Sequence, residues 1–287
     1  MRSPFLLLIA ILALTSCVMQ AQDHTKLEKM GKLPKRIDES SGLAIAGKHS
    51  LWTHNDSGSK AEFYEIDIHG DLLRVVQLDG VKPVDIEDLG QDEDGVLYFA
   101  DTGNNKKERK SLKIYIVDPK EIESGRVEAS TIEFILPAAG LQSECHYDFE
   151  AIVVSQGLVY LFSKDRCNEK NNSLHYFTVP ADTGKFVADY QGEFFWNDPN
   201  QAIQITSADI STDGRKLVLL SKDALHIFYD YRKDKFFRGA YLYVPIKKSQ
   251  REAIAHLNEC EIYITEEAKK NEPAFIYRLN LCKVKFD

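Results

Sequence analysis

The sequence predicts an all-β protein, a single β-propeller of four-stranded antiparallel blades, on three observations. First, one phrase recurs five times: SSGLAIAGKHSLWTHND from Ser40, DIEDLGQDEDGVLYFAD from Asp85, DFEAIVVSQGLVYLFSKD from Asp148, SADISTDGRKLVLLSKD from Ser207 and REAIAHLNECEIYITEE from Arg251. Each copy has a polar or acidic approach, a short apolar strand, a turn, a second strand and a closing acid. Second, anchoring the copies on Leu43, Leu89, Ile152, Ile210 and Ile254 spaces them by 46, 63, 58 and 44 residues. A repeat of about 40–50 residues is the length of a propeller blade. Third, segments such as Phe63–Ile68, Leu112–Val117 and Phe275–Leu279 alternate or are rich in β-branched and aromatic residues, and no stretch sustains a helical period.

The elements follow in chain order. Arg2 and the apolar run Phe5–Leu14 have the form of an export signal, too short to span a bilayer permanently. The run ends Leu14-Thr15-Ser16-Cys17, which resembles the bacterial lipobox and implies lipidation of Cys17; cleavage after Ala21, giving a soluble periplasmic protein, is the alternative. Val18 stands where an inner-membrane retention signal would carry Asp, so the outer membrane is the expected destination. The expected organisation is therefore a signal peptide over 1–16, a tether over 17–24 and the propeller over 25–287.

Within the propeller, Asp94-Gly95 and Asp213-Gly214 join first and second strands, while His69-Gly70 and Thr183-Gly184 are expected to close later hairpins. The third unit parses into strands near 151–156, 158–163, 174–179 and 191–196. The last unit runs out of chain after three strands, near Val284, so the stretch before Ser40, including Leu27–Leu33, is expected to supply its outer strand and close the ring. Five blades follow, with the two long gaps leaving room for a degenerate sixth. Cys145 with Cys167, and Cys260 with Cys282, flank hairpins nearly symmetrically, so those two disulfides are expected in an exported chain. No CxxC spacing suggests metal ligation by thiolates.

Composition narrows the function. The formal net charge is −8, and loss of the leader removes only Arg2, leaving the mature chain more acidic still. That balance argues against nucleic acid and against electrostatic membrane binding, leaving the lipid as the only expected membrane contact. Aligning the anchors places Glu87, Glu150 and Glu252 two residues before them, with Ser41 and Ala208 in the other copies. Asp85 and Asp148 make Asp-x-Glu pairs with the first two. A second set of polar residues follows the second strand: Asn55-Asp56, Asp101, Asp165, Asp223 and Glu266-Glu267. The start of one strand and the end of its antiparallel partner share an end of the hairpin, so both sets should converge on one mouth of the channel.

Glu87, Glu150, Glu252, Asp101, Asp56 and Asp165 are thus the candidate ligands for Ca2+ or Mg2+, or paired carboxylates for acid–base chemistry. The competing expectation is an inter-blade ion-pair network, with Lys164, Arg166, Lys222, Arg251, His54 and His146 as counter-charges. His54 is a structural histidine in that account rather than a catalytic one. No GxSxG, P-loop, HExxH or nucleotide fingerprint is present.

The phrases ESSGLA with LWTHNDSG, DIEDL with LYFADTGNN, and DFEAI with VYLFSKD resemble exported bacterial β-propellers of the SdiA-regulated and esterase-like phytase families, over about residues 36–267. The grammar is shared with gluconolactonase-like propellers, in which a divalent metal sits at the channel mouth. The resemblance implies a propeller with a metal at its mouth and transfers no reaction. The expected function is an envelope-anchored binding or scaffold protein with an acidic, Ca2+-binding channel mouth, recruiting a small molecule, a glycan or an envelope protein. The alternative is a metal-dependent hydrolase of a phosphoester or lactone.

Overall fold

A computed structural model describes residues 25–56, 60–106, 108–137, 147–164, 173–196, 204–270 and 272–284, with the backbone of Met19–Gln20. Cys17, Cys145, His146, Asp165, Arg166 and Cys167 lie outside the described residues.

Five sheets, one per repeat, make five blades. Their first strands are Ser40–Gly47, Ile86–Gln91, Asp148–Ser155, Ile205–Ile210 and Arg251–His256. Each first strand packs against the first strands of the blades before and after it, and the fifth packs on the first, so the ring closes around a central channel. The expected closure is present: Glu28–Lys32 pairs antiparallel with Phe275–Asn280 as the outer strand of blade 5. Alternation makes each blade apolar on both faces, so the core is divided into five clusters, one in each gap between adjacent blades. Among the described residues no helix is long and apolar enough to cross a membrane.

The third blade runs Asp148–Ser155, Leu158–Lys164, Ser173–Pro180 and Asp189–Phe195. Its first turn is Gln156-Gly157, both at positive φ (52° and 74°), as a two-residue hairpin requires. Thr183-Gly184, however, does not close a hairpin. The chain leaves blade 3 there, and Gly184–Val187 pairs in parallel with Ser130–Ile135 as a fifth strand on blade 2. Arg126–Glu128 does the same for blade 1, and Met19–Gln20 for blade 4. The excursions at Arg126–Glu128 and Gly184–Val187 fall in the two long gaps and add to their length, and no sixth sheet forms among the described residues.

Cys260 and Cys282 are bridged, with a Cα–Cα distance of 5.2 Å and a sequence separation of 22 residues. The bridge ties the two ends of the Glu261–Glu266 and Phe275–Asn280 hairpin, where Glu261 faces Asn280. Replacing both cysteines by serine should lower stability by about 3 kcal/mol, since a loop of this length is left open in the unfolded chain. Urea denaturation of the two proteins measures it.

Candidate metal centre

All five first strands start at the same channel mouth, and all five carry a β-bulge near that end. The ladder steps over Ser41, Glu87, Glu150, Thr206 and Glu252. A bulge turns the extra side chain away from the pleat, which is how these residues come to face the mouth. The fourth blade corrects the sequence alignment: the equivalent residue is Thr206, not Ala208. Anchoring on Ile210 set that copy two residues late. A slip of two keeps the same strand face, so alternation alone does not detect it.

The two hydroxyls at this position tie blades together. Ser41 Oγ donates to the Glu87 carbonyl at 2.9 Å, and Thr206 Oγ1 donates to the Arg251 carbonyl at 2.8 Å. The next residue along each strand is small, Gly42, Ala151, Ser207 or Ala253, except in blade 2, where it is Asp88. Asp88 is fully buried and reaches the inner strands of blades 3 and 4. Its carboxylate accepts from Ile152 N at 2.9 Å, Ser207 Oγ at 2.9 Å and Ala208 N at 3.3 Å. Ile254 N in turn donates to Ser207 Oγ at 3.2 Å. This network links the inner strands of blades 2, 3, 4 and 5.

The mouth gathers acids from three blades. Carboxylate oxygens of Glu87, Asp148 and Glu150 all lie within 4.8 Å of one another, and so do those of Asp56, Asp85 and Glu87. Glu87 belongs to both triads. Glu87, Asp148 and Glu150 are buried, while Asp56 and Asp85 are partly exposed. Asp85 and Asp148 enter as ligand candidates that the sequence marked only as the leading acids of their pairs.

Electrostatics follow from this crowding. Burial, with the charges of Glu150, Asp56, Asp85 and Asp148 added, pushes the Glu87 carboxyl far above the usual range. Burial also raises Glu150, although Lys164 pairs with it at 2.5 Å and pulls the other way. Burial works against the Lys164 ammonium, yet Glu150, Glu252 and Glu87 together hold its proton above the usual value. Among the described residues no lysine or arginine lies within ion-pair distance of Glu87. Hard oxygen donors packed this closely around a carboxylate with no basic partner at contact distance among the described residues fit Ca2+ or Mg2+.

Two of the expected ligands stand elsewhere. Asp101 folds back into its own blade: it accepts from Asp85 N at 2.9 Å, pairs with Arg109 at 2.9 Å and accepts from Tyr115 Oη at 3.1 Å. Glu252 is in neither triad and pairs with Lys222 at 3.3 Å; burial raises its carboxyl to about 7 against that lysine. Arg251 pairs with Glu266, which also accepts from Tyr277 Oη at 2.6 Å. The ion-pair expectation therefore describes Glu252 and Arg251 of blade 5 and reaches blade 3 through Lys164 and Glu150, while the acidic cluster spans blades 1 to 3. His54 is structural: Nδ1 donates to the Asn55 carbonyl at 2.9 Å, and burial holds its pKa at about 4, so it is neutral.

The raised carboxyls have a consequence for the metal-free protein. Asp88, raised to about 8 by burial despite its three donors, and Glu252 bind protons more tightly folded than unfolded. Stability from such groups is complete below about pH 4, the unfolded carboxyl range, and is lost as pH rises through the folded values. Acids paired with partly exposed bases, such as Glu62 with Arg36, act in the opposite sense, but weakly. Urea midpoints of the metal-free protein should fall between about pH 5 and pH 8.

No family model and no curated protein matches the chain. Among solved structures, a PQQ-bound aldose sugar dehydrogenase from Streptomyces coelicolor superposes with a TM-score of 0.53 at 9% identity, covering 89% of this chain and 98% of that one. That likeness shows the β-propeller fold. A gluconolactonase from Xanthomonas campestris matches with a TM-score of 0.44 at 14% identity, covering 84% of this chain and 72% of that one.

Proposed function

We propose that this β-propeller binds a divalent cation, Ca2+ before Mg2+, at the channel mouth, and uses it to hold a small-molecule, glycan or envelope-protein partner. The observation that carries this reading is Glu87, a buried carboxylate shared by two carboxylate triads with no basic partner at contact distance among the described residues. Burying such a group as an anion costs several kcal/mol unless a cation or a proton compensates it. Ca2+ is preferred because it accepts six to eight oxygens in flexible geometry, and carboxylates from three blades offer an irregular set. Glu87, Asp148 and Glu150 would hold the ion, with Asp56 and Asp85 on the open side. Export by the leader and anchoring in the outer membrane through Cys17 complete the proposal.

A second reading, a metal-dependent hydrolase, is favoured by one observation. Glu252, with its pKa near 7, sits at the equivalent bulge of blade 5 and shares the field of Lys164 with Glu150. A carboxylate poised at neutrality is suited to take a proton from an activated water.

Calcium titration tests the first reading. The purified protein should bind Ca2+ stoichiometrically by native mass spectrometry and unfold at higher temperature in millimolar Ca2+. Neither binding nor stabilisation by Ca2+ or Mg2+ would overturn both readings.

A further inference from the structure

The second-to-third strand loop of blade 2 is tied to the chain around Asp85 and to the first strand of blade 3, which together carry four of the five clustered acids. Arg109 anchors it: Nη1 donates to the Gly103 carbonyl at 2.8 Å, Nη2 to the Asp101 carbonyl at 2.9 Å, and its own amide donates to Asn104 Oδ1 at 3.0 Å. The same guanidinium pairs with the Asp101 carboxylate, whose oxygens accept from the Val84 and Asp85 amides. On its other side the loop reaches blade 3. Thr102 Oγ1 donates to the Phe149 carbonyl at 2.8 Å, and Asn104 N donates to Asp148 Oδ1 at 2.7 Å.

Gly103 lies between these ties. Its amide donates to the Asp85 carbonyl at 3.2 Å. A Cβ built on Gly103 would collide with Asp85 Oδ2 and Glu87 Oε1, so the backbone rests directly on both carboxylates. Its φ is not in the left-handed region; close approach is what demands glycine here. One loop therefore fixes Asp85 through its amide, Asp148 through an Asn104 N–H, and the Asp85–Glu87 pair by contact.

We propose that Asp101–Asn104, pinned by Arg109, is a clamp that sets the geometry of the cation site, with Gly103, Asn104 and Arg109 as positioning residues. The proposal rests on the cation reading above and extends it to residues that hold no ion themselves. Residues that orient a metal's ligands in this way commonly govern affinity by about 10–100-fold. Arg109 cannot be replaced by lysine in this role, because one ammonium cannot serve two carbonyls and a carboxylate in a planar fork.

The experiment measures Ca2+ affinity by isothermal titration calorimetry for the full chain, Gly103→Ala, Asn104→Ala and Arg109→Lys. Each metal-free variant is also unfolded thermally. Gly103→Ala and Arg109→Lys are expected to weaken Ca2+ by about 10–100-fold, and Asn104→Ala by less, since it keeps its backbone amide. The metal-free unfolding midpoint of Asn104→Ala should stay near that of the parent, which separates positioning from folding, while the affinity of Gly103→Ala, whose Cβ displaces Asp85 and Glu87, is read beside its own midpoint. If the parent binds Ca2+ and all three variants bind it equally well, the clamp is refuted and the cation reading stands. If affinity falls only in step with the metal-free midpoint, the clamp is also refuted, because the loop then serves folding alone. A parent chain that binds no Ca2+ refutes the cation reading and the clamp with it.

Discussion

Glu87→Gln is expected to weaken Ca2+ by about 100-fold or more, equivalent to about 2.8 kcal/mol, while stabilising the metal-free protein. Glu87 is the one oxygen donor common to both triads, so its loss removes a charge from whichever triad holds the ion. The same charge is what the metal-free fold must accommodate beside Glu150, Asp56, Asp85 and Asp148. A glutamine keeps the volume and removes the cost of burying that group, whether it takes the form of repulsion or of proton uptake on folding. Opposite signs for binding and stability are the signature of a ligand carboxylate; an ordinary structural glutamate would lose stability on substitution. Calorimetry and urea unfolding of the two proteins measure both effects. Glu252→Gln is the contrasting case. It leaves Lys222 without its carboxylate and stands outside the triads, so Ca2+ affinity should change little.

Asp88→Ala should destabilise the protein by about 3–5 kcal/mol. The carboxylate accepts from two backbone amides of two other blades and from Ser207 Oγ, all buried. Removing it strands those donors at the channel neck, at about 1–3 kcal/mol for each group left unsatisfied. The surrounding positions, Gly42, Ala151 and Ala253, offer no replacement acceptor. The loss should appear in urea midpoints at pH 7, with no change in the bulged glutamates above.

Much of the architecture was legible because blades repeat. Five phrases, a missing fourth strand at the end and a spare segment before Ser40 together specify a closed five-bladed ring. The parallel edge strands were not legible, because Gly184–Val187 reads like half of a local hairpin until its partner on another blade is known. The site was legible in part. Glu87 and Glu150 stood out through their shared position, but the bulge that aims them inserts a residue that alternation does not register. The same blindness put the fourth copy at Ala208 rather than Thr206. Asp101 and Asp56 occupy comparable places after a second strand, yet only Asp56 joins a triad. Which way such a residue turns depends on its neighbours, here Arg109 and Tyr115, and not on its place in the repeat. Asp88 gave no signal at all: its partners lie on blades 3 and 4, 64 and more residues away.

The most direct measurement is anomalous diffraction from crystals soaked in Mn2+, a hard divalent ion that accepts the same oxygen donors. A peak should lie within about 2.5 Å of a Glu87 carboxylate oxygen, bounded by Asp148 and Glu150 or by Asp56 and Asp85. No peak at Glu87, or a peak only beside Glu252 and Lys222, would contradict the account.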